Sequence, residues 1–421
     1  MSALPGYDAV RHRIRAAVKV LTLGWEFPPY FAGGVGVVCE ALTRSLVRRG
    51  HEITYLMPWA PPASDTGGLE LLGPGSAAAG LEWVGLPARL HSYAASARHH
   101  LALPGEVPPP ASKPLYGPDL LGEVERFAGL ALELAETRRV EPDVIHAHDW
   151  TTFPAGVALK RALGRPLVAH VHITEFDKSG GAWADPRIYR VERAGMQAAD
   201  LVVVVSQRVA SICAERYGVD PARIRVVYNG VEADDRPEEP SSFQHPLVLF
   251  LGRVTLQKGP DYFVEAARRV LDHEPRVTFV LAGTGDMLPR LIERAAELGI
   301  SRQMLFPGFV DRERASRLFA MADVFVMPSV SEPFGIVPLE AMDRGVPVIV
   351  SRQSGSSELL KNALKVDFWD TDDLAEKILS CLRYESLSGE LEERGREEVA
   401  RLSWDWVAER TEAVYREVAR A

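Results

Sequence analysis

Cysteine is scarce in this sequence. Only Cys39, Cys213 and Cys381 occur, far apart and without Cys-x-x-Cys spacing, so we expect neither a disulfide framework nor a four-thiolate zinc site. Sparse, unpaired cysteine is typical of a reducing compartment, and no run approaches the roughly 20 apolar residues of a membrane-spanning helix. The sequence therefore predicts a cytoplasmic protein without a stable membrane span.

Positive charge is also in deficit, since 48 Lys and Arg residues stand against 57 Asp and Glu residues. The formal net charge of -9 argues against attraction to nucleic acid or to an anionic membrane, so we expect neither as a partner. With 421 residues, of which 47% are hydrophobic, the chain can bury two cores. Its oligomeric state is left open by the sequence.

Short apolar runs alternate with amphipathic stretches along most of the chain. Continuous runs of Val, Ile and Leu predict buried parallel strands, and segments with helical periodicity lie between them. The predicted strands cover residues 18–24, 52–57, 143–147, 166–171, 201–205 and 224–228, then 247–251, 278–282, 304–306, 324–327, 346–350 and 364–366. This alternation predicts an α/β protein with two Rossmann-like, doubly wound parallel-sheet domains that face a cleft.

An acidic, proline-rich stretch at residues 232–246 interrupts the alternation and has the composition of an interdomain linker. We therefore predict a first domain at residues 1–236 and a second at residues 247–402. The segment 403–421 is amphipathic and has no strand after it, as expected of a helix. A Pro-, Ala- and Gly-rich stretch at residues 59–118 is predicted to be a long surface excursion.

Polar and glycine-rich clusters follow the predicted strands at the points where those strands end. They contain Asp149, His172 and Asn229 in the first half, and Gly283 and Glu332 in the second. In an open parallel sheet, ligands bind outside the carboxyl ends of the strands. The clustering predicts that the functional site lies in the cleft between two such rims.

Two pairs of histidines alternate on predicted strands, His146 with His148 and His170 with His172. Residues two apart on a strand point the same way, so either pair could supply metal ligands. The earlier member of each pair precedes the strand end, which favours a hydrogen-bonded core histidine. We predict that no metal is bound.

Several groups are suited to a diphosphate, whose negative charge must be offset. Arg253 can fork onto phosphate oxygens, and Lys258 adds a point charge. Helix N-terminal amides are expected near Gly335 and in the glycine-rich residues 33–36. A solvated turn is the alternative for Arg253 and Lys258, but their place beside glycines at a strand end favours phosphate binding.

Two glutamates, Glu332 and Glu340, bracket the segment Pro-Phe-Gly-Ile-Val-Pro-Leu. A carboxylate such as that of Glu340 can accept from two ribose hydroxyls, whereas helix capping is the alternative for Glu332.

The segment EPFGIVPLE resembles the E-x7-E signature of retaining glycosyltransferases with the GT-B fold, those of family 4 and the related glycogen and starch synthases. GRVTLQKG resembles their G-R-x4-K-G donor loop, and HDW, YNGV, AGTGD and PGFV resemble further family motifs in the same order.

This resemblance implies a role for each matching residue. The implied catalytic residues are Glu332, His172 and Asp149. The implied donor-binding residues are Gly33, Gly34, Asn229, Arg253, Lys258, Gly283, Val310, Phe334, Gly335, Ile336 and Glu340. The last helix is implied to pack back on the first domain.

The resemblance also implies the reaction, a metal-independent retaining transfer of glucose from UDP-glucose or ADP-glucose to a glucan or another soluble glucoside. The nucleotide sugar is then a substrate, and no further cofactor is implied. The synthases carry a K-x-G-G motif, whereas this chain has Phe31-Ala32-Gly33-Gly34 and lacks the lysine. This difference leaves the base of the donor open.

Other functions fit parts of the same pattern. A glycosyltransferase that makes a disaccharide or a glycolipid would share every motif, and a sugar-nucleotide epimerase would share the fold. A nicotinamide oxidoreductase would need a G-x-G-x-x-G sequence, which Gly283-Thr284-Gly285 does not complete. A non-catalytic sugar-nucleotide-binding subunit is disfavoured because both Lys258 and Glu332 are present.

Overall fold

The computed structural model describes residues 17–27, 34–58, 81–85, 119–233 and 245–419. Two parallel sheets are formed in this part of the chain. The first comprises β1 (Lys19–Leu23), β2 (Glu52–Met57), β3 (Leu81–Gly85), β4 (Val144–His148), β5 (Leu167–Val171), β6 (Leu201–Val204) and β7 (Ile224–Val226). The second comprises β8 (Leu247–Leu251), β9 (Thr278–Ala282), β10 (Met304–Gly308), β11 (Val324–Met327), β12 (Val348–Ser351) and β13 (Leu364–Val366).

Helices connect the strands. Those of the first half are α1 (Gly34–Arg48), α2 (Leu120–Arg138), α3 (Phe153–Leu163), α4 (Glu175–Lys178), α5 (Pro186–Ala198) and α6 (Gln207–Tyr217). Those that follow are α7 (Pro260–Leu271), α8 (Leu288–Glu297), α9 (Arg312–Met321), α10 (Val337–Asp343), α11 (Ser356–Leu359), α12 (Thr371–Arg383), α13 (Glu385–Val399) and α14 (Trp404–Val418). Helix α7 illustrates their packing, because Phe263, Ala267 and Val270 recur at helical spacing and are fully buried.

The strand order is β3-β2-β1-β4-β5-β6-β7 in the first sheet and β10-β9-β8-β11-β12-β13 in the second. The order reverses between β1 and β4, and again between β8 and β11. Such reversals leave a crevice at the carboxyl ends of the strands, where α/β proteins bind ligands. The prediction of two Rossmann-like, doubly wound parallel sheets is confirmed.

The central strands are buried on both faces. All five residues of β4 and of β5 are buried. Ile145 and Ala147 pack in one core cluster, and Val144 in another, so that alternate side chains of β4 enter different cores. Burial on both faces explains why these strands read as continuous apolar runs, which is what a parallel sheet covered by helices requires.

Helix α14 follows the second half in sequence but lies against the first sheet. Its Tyr415 hydroxyl shares a hydrogen bond of 2.7 Å with His146 Nδ1 of β4. Its Glu412 carboxylate accepts from Arg49 Nε at 2.7 Å, and a short parallel bridge joins Val231 to Ser403. The chain thus crosses between its halves twice, while the exact limits of the two domains remain a prediction.

Some predicted elements need correction. Strand β3 lies within residues 59–118, which were predicted to be a surface excursion, and it pairs with β2. The other residues of that stretch, and residues 234–244 of the predicted linker, lie outside the described part of the chain. Strand β12 begins two residues later than predicted, and helix α13 was not anticipated. Asp370 caps helix α12, since its carboxylate accepts from the Asp373 N–H at 2.9 Å.

Candidate active site

The loop after β8 carries the predicted phosphate ligands and is shaped by one glycine. A turn of 3-10 helix covers Leu256–Lys258, and Gly259 then adopts a φ of 62° before α7 begins. A Cβ atom at Gly259 would come within 2.1 Å of the Pro328 carbonyl oxygen, so the two loops approach too closely for any side chain. This close approach brings Lys258 to the loop after β11.

Lys258 and Glu332 form an ion pair at the point where the strand order of the second sheet reverses, between β8 and β11. The exposed fraction is 15% for the lysine side chain and 8% for the glutamate side chain. The backbone of Glu332 is held on both sides, because its N–H donates to the Gln353 carbonyl and its carbonyl accepts from Gly355 N–H. Removing two charges from water is costly, and a nearly buried ion pair at a crevice is more typical of a binding site than of a stabilising contact.

Arg253 lies beside this pair in the same loop. Its guanidinium donates to Gln257 Oε1 at 3.1 Å, and its side chain is exposed. The Gln257 carbonyl accepts from Val330 N–H at 2.9 Å, which ties the loop after β8 to the loop after β11. The exposed guanidinium is therefore available to an anion beside Lys258.

Close backbone contacts also join the loops after β8, β9 and β10. Gly283 has a φ of 139°, and a Cβ there would lie 1.8 Å from the Gly252 carbonyl oxygen. Gly283 N–H donates to the Gly308 carbonyl at 2.8 Å, and the half-buried Val310 follows two residues later. These contacts form a floor of main chain rather than side chains, as suits a flat ligand group.

The segment between Glu332 and Glu340 ends in a short helix. Phe334 is buried, Gly335 has a φ of 88°, and Ile336 occupies the N-cap position of α10. No side chain caps α10, so the capping alternative for Glu332 is wrong. Helix α10 begins two residues after Gly335, and Glu340 is therefore in its first turn.

On the first-domain rim, Asp149 supports the loop that carries His172. Asp149 has a φ of 59°, which is strained for a residue with a side chain. Its Oδ1 accepts from His172 N–H at 2.7 Å and from Ile173 N–H at 3.4 Å. These contacts hold the loop of His172 in place, and the catalytic role predicted for Asp149 stays a prediction.

His172 is only 6% exposed, and its Nε2 shares a hydrogen bond of 2.8 Å with His148 Nδ1. Burial lowers the pKa of His172 to about 3, so the imidazole is neutral at physiological pH. Its Nδ1 has no hydrogen-bond partner within the described residues.

The first-domain rim also holds Asn229, which is buried, and Gly34, which begins α1, whereas Gly33 lies outside the described residues.

Burial raises the pKa of Asp149 from 3.8 to about 7. The folded chain therefore takes up a proton between about pH 4 and 7 that the unfolded chain does not, and the free energy of unfolding falls as pH rises through this window. Asp149→Asn removes this titration, so the free energy of unfolding of the variant does not change with the protonation of this group. The free energy of unfolding of the variant minus that of the wild type should therefore increase by up to about 4 kcal/mol from about pH 4 to 7 and stay constant above this window. Denaturant unfolding at several pH values measures this difference, and parallel wild-type and variant profiles would contradict the prediction.

Four histidines, three on β4 and β5 and one, His172, directly after β5, form one buried cluster beneath the rim. His146 Nε2 and His170 Nδ1 lie 3.2 Å apart, and His146 also contacts Tyr415, so His146 is a hydrogen-bonded core residue as predicted. His170 is not fully satisfied, because its Nε2 has no partner among the described residues. The ring nitrogens of His146, His148 and His170 lie close enough to share a cation, and the prediction that no metal is bound stays a prediction.

The two rims touch through residues that the sequence analysis did not select. Ser331 Oγ donates to Asp177 Oδ1 at 3.1 Å, and Arg208 donates to Ser331 Oγ at 3.0 Å. The Glu358 carboxylate accepts from the main-chain N–H groups of Gln207 and Arg208 at the start of α6. Their positions after strand ends were the available signal, since each lies in a loop or helix start at the carboxyl edge of its sheet.

The comparisons with known proteins agree with this architecture. A family model described as Glycosyltransferase Family 4 matches residues 32–235, and one described as Glycosyl transferases group 1 matches residues 231–398. The alpha-maltose-1-phosphate synthase of Mycolicibacterium smegmatis is 30% identical over 338 residues, 72% of this chain and 86% of the relative. The glycogen synthase of Mycobacterium tuberculosis is 28% identical over 362 residues, 82% of this chain and 80% of the relative.

Among solved structures, sucrose-phosphate synthase from Thermosynechococcus elongatus superposes with a TM-score of 0.71 at 21% identity, covering 95% of this chain and 98% of that chain. Fold and matches together define a two-domain glycosyltransferase with the GT-B architecture. The chain belongs to glycosyltransferase family 4. Within the described residues, no helix combines the length and the apolar character needed to cross a bilayer.

Proposed function

We propose that this enzyme transfers glucose, with retention of configuration, from UDP-glucose or ADP-glucose to a glucan or another soluble glucoside. The observation that carries the proposal is the nearly buried Lys258–Glu332 pair at the switch point of the second sheet. The loop of Asp149 and His172 lies on the other rim. The relationship to a glycogen synthase over four fifths of both chains supports glucose and a glucan as the substrate classes.

In the proposed complex, Lys258 and Arg253 bind the donor diphosphate. Lys258 then exchanges Glu332 for phosphate oxygens, and Glu332 is released to bind a hydroxyl of the donor sugar. The main chain at Gly283 and at Val310 supports the nucleoside, and Glu340 accepts from the ribose hydroxyls. The donor site is completed by Phe334, Gly335, Ile336, Gly34 and Asn229. Gly33 is proposed with them on the basis of its motif alone.

The proposed reaction proceeds on one face of the sugar. The acceptor hydroxyl oxygen forms a bond to the anomeric carbon while the bond from that carbon to the β-phosphate oxygen breaks. The bonding electrons leave with the phosphate, which also takes the acceptor's proton. His172 is neutral and braces the donor sugar, so no protein group forms a covalent bond in this scheme.

A donor and acceptor screen tests this function. Purified enzyme with UDP-glucose or ADP-glucose and maltooligosaccharides should release nucleoside diphosphate, and the product should carry a new α-glucosidic linkage. Nucleotide release is measured by liquid chromatography and the linkage by NMR. No turnover of any nucleotide hexose with any acceptor in the panel would refute the proposal, and a β-linked product would refute retention.

The proposed chemistry uses no divalent cation, because Lys258 and Arg253 offset the diphosphate charge. Turnover measured in excess EDTA should therefore equal turnover in magnesium or manganese. The comparison is made on the same enzyme preparation, with the cations added back to the treated sample as the control. If EDTA abolished turnover and either cation restored it, the proposal that the reaction uses no divalent cation would be wrong.

A second acceptor class is favoured by one further observation. Arg208 lies at the contact between the rims, and its Nε is buried without a hydrogen-bond partner among the described residues. A buried guanidinium N–H with no acceptor suits a phosphate oxygen, and the relative from M. smegmatis is named for a phosphorylated disaccharide. Glucose 1-phosphate therefore belongs in the acceptor panel, and its use should be lost in Arg208→Lys if the guanidinium fork binds the phosphate.

A further inference from the structure

Exposed aromatic side chains are concentrated at the ligand-binding edges of the sheets. The large exposed aromatics among the described residues are Trp183, Phe309, Trp369 and Tyr384, each at least 59% exposed. Phe309 follows β10, Trp369 follows β13, and Trp183 lies after α4 in the connection from β5 to α5, whereas Tyr384 lies between α12 and α13. Phe309 adjoins the proposed nucleoside site, but nothing in the proposed donor site accounts for Trp369.

Trp369 belongs to a small cluster that we call the aromatic shelf, formed by Tyr262, Phe368 and Trp369. The Phe368 ring packs edge-on against Trp369, with centroids 4.8 Å apart, and against Tyr262, with centroids 5.1 Å apart. Contacts of this geometry fix ring orientation. The exposed indole is therefore held against a partly buried base instead of moving freely in solvent.

The aromatic shelf is connected to the site of Glu332 through Gln353. The Gln353 carbonyl accepts from Glu332 N–H at 3.1 Å, and its side-chain amide donates to Asp367 Oδ1 at 3.0 Å. Asp367 directly precedes Phe368. Strand β13 lies two positions from β11 in the sheet, which is a lateral separation of about 10 Å at the usual strand spacing and within the reach of a short oligosaccharide.

Polar groups flank the shelf. The Asp367 carboxylate is 39% exposed and lies 3.9 Å from the exposed Arg352 guanidinium, a separation too long for a hydrogen bond. Both groups can therefore exchange this contact for a ligand hydroxyl at little cost. One flat apolar ring beside a few hydrogen-bonding groups is the arrangement that a pyranose requires, since its C–H face is apolar and its rim is polar.

We propose that the aromatic shelf binds an α-glucan chain, with Trp369 stacked on a sugar unit remote from the one that reacts. The inference rests on the proposed function, which supplies a glucan as the acceptor class. A protein partner fits less well, because a single exposed indole gives far less area than a specific interface buries. The shelf favours long acceptors over short ones by adding contacts that a single sugar does not reach.

The test measures binding of maltoheptaose to the full chain by isothermal titration calorimetry. Trp369→Ala should weaken this binding at least tenfold, and Trp369→Phe should restore most of it because a flat ring remains. Tyr384→Ala is the matched control, since it removes an equally exposed aromatic of the same half away from the sheet edge and should bind like the wild type. In turnover assays, Trp369→Ala should lose the preference for maltoheptaose over maltose in kcat/KM.

Two outcomes would overturn the shelf: wild-type affinity for maltoheptaose in Trp369→Ala, or equal weakening by Tyr384→Ala. Affinity for nucleoside diphosphate, measured in the same titrations, shows that each variant is folded. The proposed function fails by a different observation, namely that no donor is turned over. Calorimetric binding of maltoheptaose by the shelf would still be measured in that case, so the two failures are distinguishable.

Discussion

Lys258→Ala should lower kcat by two to three orders of magnitude while the chain stays folded. Lys258 is proposed to bind the departing diphosphate, and charge stabilisation of this type supplies about 3–4 kcal/mol in the transition state. The measurement is kcat by nucleotide release at saturating donor. Lys377→Ala is the matched control, because Lys377 also pairs with a carboxylate, that of Asp373, but on helix α12 and away from the cleft.

The substitution also leaves the Glu332 carboxylate without its partner in a nearly buried place, and this alone carries an energetic cost. The double variant Lys258→Ala with Glu332→Gln separates the two effects. The readout is affinity for nucleoside diphosphate, because Glu332→Gln by itself is expected to lower kcat. If Lys258 only neutralised Glu332, the double variant would bind nucleoside diphosphate as tightly as Glu332→Gln does. A phosphate-binding lysine predicts that the double variant binds as weakly as Lys258→Ala, and affinity equal to that of Glu332→Gln would contradict the proposal.

Glu332→Gln is expected to reduce kcat nearly as much, and no glycosyl-enzyme should accumulate. A two-carboxylate retaining mechanism places nucleophile and acid/base about 5 Å apart. Here Glu332 pairs with Lys258, and the Asp149 carboxylate accepts from main-chain amides, so neither is presented as a free nucleophile. The amide of glutamine keeps the size of the side chain but loses the negative charge that pairs with Lys258 and binds a sugar hydroxyl.

Intact-protein mass spectrometry of the wild type and of Glu332→Gln with a slow, fluorinated donor decides the mechanism. Both proteins should keep their unmodified mass. Glu397→Gln, which changes an exposed carboxylate of helix α13, should retain wild-type turnover and serves as the control. A stable adduct of one hexose on Glu332 or on Asp149 in the wild type would refute the one-face mechanism.

Local patterns in the sequence were sufficient for most of the strands and for the tight loops that follow them. Continuous apolar runs such as Leu247–Leu251 marked strands correctly because burial on both faces of a parallel sheet leaves few polar positions. The glycines at 259, 283 and 335 marked tight loops because their conformations exclude other residues. Both signals depend on neighbours in the chain, which a sequence contains.

Contacts between distant residues were decided by the tertiary structure. Ser331 and Asp177 are 154 positions apart, and nothing in either segment indicates that one would donate to the other. Likewise, only the fold shows that the Asp149 carboxylate supports the loop of His172. Such contacts depend on how two sheets are placed against each other, and that placement leaves no periodic pattern in either segment.

The sequence by itself determined two doubly wound parallel sheets, with chemistry-bearing residues at their carboxyl ends. Periodicity and glycine placement encode these features because they follow from local sterics and burial. Only the tertiary structure decided that Lys258 pairs with Glu332, that α14 returns to the first sheet, and that Tyr262 supports Phe368 beneath Trp369. Each of these depends on loops meeting across a switch point or on a helix crossing between the two halves, and chain neighbours do not specify such geometry.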